Sequence, residues 1–399
     1  MAPHQGLVHL KEYDIKDSNV ELIGTDLDHK VKYNSATTEP AWHERGVGVE
    51  PGLFIWRIEQ FEVVPVPKGS YGQFFEGDSY IVLHSWKSGS EDSPDDVQKL
   101  CHDIFFWLGA KTSQDEAGTA AYKTVELDEF FHGKATQHRE LQTSPSDDFV
   151  SLFPRMTIRR GGVASGFRHV EEEVKEEITT LLRVFKRAGA GRDSVVVYEV
   201  EPTWQSLDEN DVFILDKGDK IWVWQGAKCS PMEKAKAAQV VHDMTLAKHI
   251  DVEVLAQNES RSRLVVKMLG GDDDAGAFHA SRPIGSSASV IGDLGSHKLF
   301  RLSDSSGQLS FNLVRDGGSI SLSDLDGSDI FLLDDAGSGI WVWEGNGASR
   351  AERAAWLKIA QAYVRILQDQ DENAYLRPIA KVQEGTESAA FLKAIKSAA

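Results

Sequence analysis

With 399 residues, 41% of them hydrophobic, the chain has room for roughly two to four domains of ordinary size and can build real cores, which excludes wholesale disorder. A net charge of −19 argues against general nucleic-acid binding, which needs a basic surface, and suits a protein that binds cations or basic patches on a partner. Two distant cysteines, Cys101 and Cys229, make neither a disulfide framework nor a zinc site and point to a reducing compartment.

In chain order, the opening MAPHQGLVHLKEYD lacks the apolar core of a secretion signal, and no apolar run approaches the roughly 18 residues needed to span a bilayer. A soluble intracellular protein is expected. Residues 1–50 form an extension. A first unit follows over 51–165. Asp78 opens DSYIVLHSW, a polar insertion (KSGSEDSPDDVQKL) lengthens the hairpin, and IFFWLG (Ile104–Gly109) is the returning strand. SQDEAGTAAYKTVELDEFF then reads as a helix. Ala117, Ala120, Thr124, Leu127 and Phe131 form its core stripe. Gly118, Tyr122, Val125 and Glu129 form a second, semi-apolar stripe, which suits an ordinary exposed face or a partner-binding one.

The second unit, 166–271, carries DVFILDKGDKIWVWQG (Asp211–Gly226), and the third, 298–399, carries DIFLLDDAGSGIWVWEG (Asp329–Gly345). Each is a short apolar run, a turn rich in Asp and Gly, and a returning strand closed by glycine. Helices follow, with stripes Ala237, Val240, Val241, Met244 and Trp356, Ile359, Ala360, Tyr363, Ile366. The stretch 272–297, rich in Asp, Gly, Ser and Ala, reads as a linker. The opening aspartates Asp78, Asp211 and Asp329 lie 133 and 118 residues apart, so one unit is used three times.

Each unit also carries Ser-x-x-Glu after its returning strand: Ser113/Glu116, Ser230/Glu233 and Ser349/Glu352. One reading is a helix capping box. The other joins each glutamate to the aspartate opening the preceding strand. Two such carboxylates side by side ask for a cation, and oxygen-only ligands suit Ca²⁺ better than Zn²⁺. DLDGSD (Asp324–Asp329) lacks the distal glutamate of an EF-hand and reads as a turn. An enzyme using paired carboxylates as acid and base is the weakest reading, because the chain has no P-loop, no His-Glu-x-x-His and no Gly-x-Ser-x-Gly; no catalysis is expected.

GLFIWRIEQFEVVPVP (Gly52–Pro67), YGQFFEGDSYIVLH (Tyr71–His84), FFWLGAKTSQDEAGTAAYKTVELDEFF (Phe105–Phe131), QHRE (Gln137–Glu140) and GGVASGF (Gly161–Phe167) resemble the first domain of the gelsolin/villin family. The DVFILD and DIFLLD units resemble its second and third domains, and IGTDLDHKVKYNSATTEPAWH resembles the extension of its three-repeat severin and fragmin type. The resemblance runs from about residue 50 to the end. It implies an α/β (α+β) fold of three gelsolin-like repeats, each a mixed five-stranded sheet between a long and a short helix. It implies a monomeric cytoplasmic, cytoskeletal protein that binds actin under Ca²⁺ control, severs filaments and caps barbed ends. A capper that does not sever and a Ca²⁺-responsive scaffold with weak actin binding are the alternatives.

Carried over by motif, the resemblance implies four Ca²⁺ sites. The first uses the Gly77 carbonyl, Asp78, Glu116 and the Val163 carbonyl. The second, at the actin interface, uses Asp128 and the Gly133 and Ala135 carbonyls. The third uses the Asn210 carbonyl, Asp211 and Glu233, with Asp272, Asp273 and Asp274 as open candidates for a further ligand. The fourth uses the Ser328 carbonyl, Asp329 and Glu352. Actin contact falls to Tyr122, Val125, Asp128, Glu129 and Phe167 in the first unit, and to Arg192, Lys234 and Lys236 in the second. Asp193 stands where some relatives carry a second arginine. Arg155, Arg159, Arg160 and Arg168 match a basic stretch tied to phosphoinositide lipids, and equally suit a solvated basic face.

Overall fold

The structure, a computed structural model, describes residues 35–44, 46–87, 100–162, 179–186, 195–246, 250–272, 274–282, 296–336, 339–368 and 377–397. The repeated hairpins form as the sequence dictates. In the second unit β10 (Val212–Asp216) and β11 (Lys220–Gln225) pair antiparallel. Gly218 takes a φ of +88° in their turn, where Asp216 Oδ1 accepts its N–H at 2.8 Å. The third unit repeats this with β15 (Ile330–Asp334) and β16 (Ile340–Glu344), the first with β4 (Ser79–Lys87) and β5 (Leu100–Leu108).

Each hairpin is the centre of five strands in one order. In the first unit β2 (Glu62–Pro65), β1 (Gly52–Glu59), β4, β5 and β6 (Thr136–Leu141) are neighbours. In the second they are β9 (Val195–Val200), β8 (Thr180–Lys186), β10, β11 and β12 (Asp251–Ala256). In the third they are β14 (Ser310–Asp316), β13 (Lys298–Ser303), β15, β16 and β17 (Ile379–Gln383). The last pair is parallel every time, so a helix must cross between its strands. These crossovers are the long helices α1 (Gln114–Phe130), α3 (Pro231–Leu246) and α5 (Arg350–Gln368). The short helices α2 (Asp147–Ser151), α4 (Arg263–Met268) and α6 (Ala389–Ser397) cover the other face.

The continuous apolar runs are now explained, because both sheet faces are buried. Val212, Ile214, Ile221 and Val223 pack on Ala237, Val240 and Val241 of α3. Phe213, Leu215 and Trp224 pack on Val265 and Val266 of α4. The third unit divides likewise: Leu332 and Val342 face α5, and Phe331 and Trp343 share a core with Phe391 of α6. On α5 the expected stripe shifts slightly. Ala360, Tyr363 and Val364 are buried, whereas Ile366 is 62% exposed.

The units join through their sheets. Antiparallel pairing of β17 with β6 fuses the first and third into ten strands, with Lys381 opposite Gln137. The short strands β3 (Gln73–Phe75) and β7 (Thr157–Arg159) leave the first unit, and β7 pairs with β9 to make a seven-stranded sheet.

Two segments read as extension and linker are built into these cores. Ala36, Ala41, Trp42 and Val47 are buried together with Trp56, Ala120 and Leu127. Ala275 and Phe278 are buried with Trp224 and Val265.

Candidate cation sites and the exposed helix face

In all three units the opening aspartate is buried at the head of the central hairpin, with an arginine from the first strand beside it. Arg57, Arg183 and Arg301 stand in register opposite Tyr80, Phe213 and Phe331, each two residues after the aspartate. Arg57 Nη1 lies 3.6 Å from Asp78 Oδ2, Arg183 Nε donates to Asp211 Oδ2 at 2.6 Å, and Arg301 Nε donates to Asp329 Oδ2 at 2.7 Å. Composition and spacing did not single these arginines out. Their signal was the same position in IWRIE, LLRVF and LFRLS.

In the second and third units the recurring glutamates satisfy the capping reading in full, whereas in the first Ser113 Oγ accepts Glu116 N–H at 3.2 Å. Ser230 N–H donates to Glu233 Oε2 at 2.7 Å, and Glu233 N–H returns to Ser230 Oγ at 3.3 Å. Ser349 and Glu352 repeat this at 2.9 and 3.2 Å. In both units the glutamate's other oxygen accepts the N–H at the end of the first strand, from Lys186 and from Asp304, each at 2.8 Å. The glutamate therefore ties the helix start to the end of the first strand, the strand that also carries the arginine beside the aspartate.

The approach of glutamate to aspartate is clearest in the second unit. Nη2 of Arg282 lies 2.6 Å from Asp211 Oδ1 and 3.9 Å from Glu233 Oε1, so both carboxylates face one positive group. In the third unit burial first, then the charges of Asp304 and Asp329, push the Glu352 carboxyl up, while backbone hydrogen bonds from Ser349 and Asp304 oppose the shift. In the first unit the link is indirect. Ser79 Oγ lies 2.8 Å from Thr112 Oγ1, which donates to Glu116 Oε2 at 3.2 Å. Asp78 Oδ1 leaves no room for a Cβ at Gly162, which would sit 2.4 Å from it. The all-oxygen donor set fits a hard cation such as Ca²⁺, which takes carboxylates and backbone carbonyls. Among the described residues no group of three or more His, Cys, Asp or Glu side chains is arranged to hold a metal.

Asp128, Gly133 and Ala135 share one turn at the end of α1. Asp128 accepts Ala135 N–H at 2.9 Å and Gln137 Nε2–H at 2.6 Å, and its carbonyl accepts Gly133 N–H at 2.9 Å. Burial pushes its carboxyl up to about 6, against the opposing charge of Lys381 on β17. The position thus sits beside the β6–β17 seam. On α1, Tyr122 is 52% exposed, Val125 and Glu129 are half-buried, and the core stripe is buried at Ala120, Thr124, Leu127 and Phe131. A third stripe escaped sequence reasoning. Glu126 is buried beneath the segment before β1, accepting from Ser35 Oγ at 2.7 Å, Trp42 Nε1 at 3.1 Å and Lys123 Nζ at 2.9 Å.

The basic residues are engaged. Arg155 pairs with Asp243 at 2.6 Å, Arg159 with Glu199 at 2.7 Å and Arg160 with Glu201 at 2.5 Å. Lys236 donates to the Pro154 carbonyl at 2.6 Å, and Lys234 is exposed. Val163, Phe167, Arg168, Arg192, Asp193 and Asp273 lie outside the described residues. No described helix is long and apolar enough to cross a membrane.

Fold and site together define a repeat protein: one α+β unit built three times, with a buried aspartate at the head of each central hairpin and a glutamate after it that is buried in the second and third units. The pattern of the Gelsolin repeat family matches residues 60–150 and 193–264. Gelsolin-like protein 1 of Lumbricus terrestris is 35% identical over 394 residues, covering 98% of this chain and 99% of its own. Gelsolin-like protein 2 of the same organism is 38% identical, covering 90% and 92%, and Severin of Echinococcus granulosus is 35% identical, covering 98% and 99%. The chain belongs to the gelsolin family.

Proposed function

We propose that this protein binds actin under Ca²⁺ control, severs filaments and caps their barbed ends. The observation that carries the reading is the convergence of Asp211 and Glu233 on a single positive group, in a family member whose other two units repeat the same pair. Bound Ca²⁺ would supply a compact divalent charge to offset these carboxylates. The Asn210 and Ser328 carbonyls, with Asp211/Glu233 and Asp329/Glu352, would hold it in the second and third units. Gly77, Asp78, Glu116 and Val163 would hold it in the first. Tyr122, Val125 and Glu129 present the α1 face to actin, with Phe167 extending it, and Asp128 with the Gly133 and Ala135 carbonyls completes that interface. Arg192, Lys234 and Lys236 engage the filament side.

The β6–β17 seam works against this contact. β17 pairs with β6 so that Lys381 stands opposite Gln137, whose side chain donates to Asp128, so actin binding there requires the seam to part. A cation shifts that equilibrium only by its differential affinity for the joined and parted arrangements. A polyanionic phosphoinositide headgroup would compete with Asp243, Glu199 and Glu201 for Arg155, Arg159 and Arg160, with Arg168 alongside.

Asp128→Ala is expected to weaken actin binding at saturating Ca²⁺ by roughly tenfold or more, since even indirect support of a metal site has effects of that size. Sedimentation with filaments reads it, and unchanged affinity would remove Asp128 from the interface. Glu233→Gln keeps a cap acceptor but loses the charge. It should shrink the Ca²⁺-induced rise in Tm by about one site's contribution, on the order of 2.7 kcal/mol at a hundredfold excess over Kd. An undiminished rise would leave Glu233 as a cap alone.

A further inference from the structure

We propose that Arg282 is an internal competitor for the cation site of the second unit, a guanidinium that must be displaced before a divalent cation can occupy the space between Asp211 and Glu233. The inference rests on the cation reading of that pair. Arg282 comes from neither the hairpin nor the helix but from the stretch following α4, and no counterpart to it was read in the repeated pattern. Its seat is nevertheless built. Nη2 donates to Asp211 Oδ1 at 2.6 Å, Nη1 donates to the Lys186 carbonyl at 3.2 Å, and the guanidinium lies 5.4 Å from the Phe185 ring centre. The same nitrogen is 3.9 Å from Glu233 Oε1. It therefore stands where a cation shared by the two carboxylates would stand.

The neighbouring Arg183 prepares this seat and cannot itself be the competitor. It is 1% exposed, lies 5.7 and 5.6 Å from the Phe185 and Phe213 ring centres, and donates to the Ala280 and Ser281 carbonyls at 3.0 and 2.8 Å. It thereby fixes the two residues before Arg282. Arg282 itself is half-buried and can swing out without opening the core. With it withdrawn, the carboxylates of Asp208, Asp211 and Glu233 outnumber the Arg183 guanidinium that remains beside them among the described residues, an excess of negative charge suited to a divalent cation. In the first and third units a strand arginine, Arg57 or Arg301, stands at the aspartate. In the second unit the displaceable Arg282 stands there together with the strand residue Arg183. Its affinity for Ca²⁺ is accordingly set by the difference between cation and guanidinium, not by the carboxylates alone.

Calorimetric titration of the full chain with CaCl₂, with melting curves in chelator and in saturating Ca²⁺, tests the inference on wild type, Arg282→Gln, Arg282→Lys and Asp211→Asn. Asp211→Asn identifies the site by deleting one binding event. Arg282→Gln is expected to tighten that same event by roughly ten- to a hundredfold, the worth of a charge-assisted hydrogen bond, with Arg282→Lys in between. It should lower Tm in chelator and leave Tm in saturating Ca²⁺ near wild type. An Arg282→Gln variant with unchanged affinity and equal losses of Tm in both conditions would make Arg282 a fixed structural ion pair and overturn the competitor. An Asp211→Asn variant that keeps every binding event would instead overturn the cation reading of this pair, and the competitor with it.

Discussion

Replacing Arg183 with methionine is expected to cost about 3–5 kcal/mol of stability, because removing one member of a buried ion pair strands the other. Its guanidinium donates to Asp211 and to the carbonyls of Ala280 and Ser281, and all of this happens beside the Phe185 and Phe213 rings. Methionine fills much of the volume but donates nothing. Asp211, itself fully buried, is left with its ion pair to Arg282, which is only half-buried. The double variant Arg183→Met, Asp211→Asn removes both charges and should recover part of the loss, since replacing both partners of a buried pair is far milder than breaking it. Urea denaturation in chelator measures both. A loss below about 1 kcal/mol for the single variant would mean that the strand arginine is not the keystone of the hairpin head.

Trp42→Ala should be of similar size, about 3–5 kcal/mol, the usual range for deleting a large buried aromatic. Trp42 is 1% exposed, meets Trp56 edge-on at 5.1 Å between ring centres, and gives its indole N–H to the buried Glu126. Alanine leaves a cavity against Ala120 and Leu127 and takes a donor from a carboxylate that has little access to water. Trp42→Phe restores most of the packing but not the donor, and should lose about 1–3 kcal/mol, the worth of one hydrogen bond to a charged group, because Ser35 and Lys123 still reach Glu126. If Trp42→Ala unfolds at the wild-type urea midpoint, the segment before β1 is an appendage and not part of the core.

These two residues also show what the sequence could and could not reveal. The hairpins, their turns and the helices after them were legible because both-face burial writes continuous apolar runs, and because three copies of one pattern are hard to mistake. DVFILD and DIFLLD carry that signal in a few residues. Glu233 and Glu352 were legible as caps from Ser-x-x-Glu, and the structure realises the cap while also tying the same carboxylate to the end of the first strand. Trp42 was not legible. One tryptophan in a polar extension has no periodicity, and its burial depends on a groove that α1 and β1 make only once folded. Arg282 was hidden for the same reason, since a lone arginine in a Gly- and Ser-rich stretch says nothing until Arg183 fixes the carbonyls before it. The β6–β17 seam was equally out of reach, because pairing between strands of two units leaves no mark in either. Its consequence for Asp128 is physical: a carboxyl chosen for an actin-facing site lies buried beside another unit's lysine.

The most direct test of the account is microscopy of single fluorescent actin filaments exposed to the protein in chelator and in micromolar Ca²⁺. The account predicts filaments that are untouched in chelator, and that break in Ca²⁺ into pieces whose barbed ends no longer grow. Stalled ends without breaks would make the protein a capper. Filaments that neither break nor stall at any Ca²⁺ level would contradict the account and leave a gelsolin-family fold without the activity proposed for it.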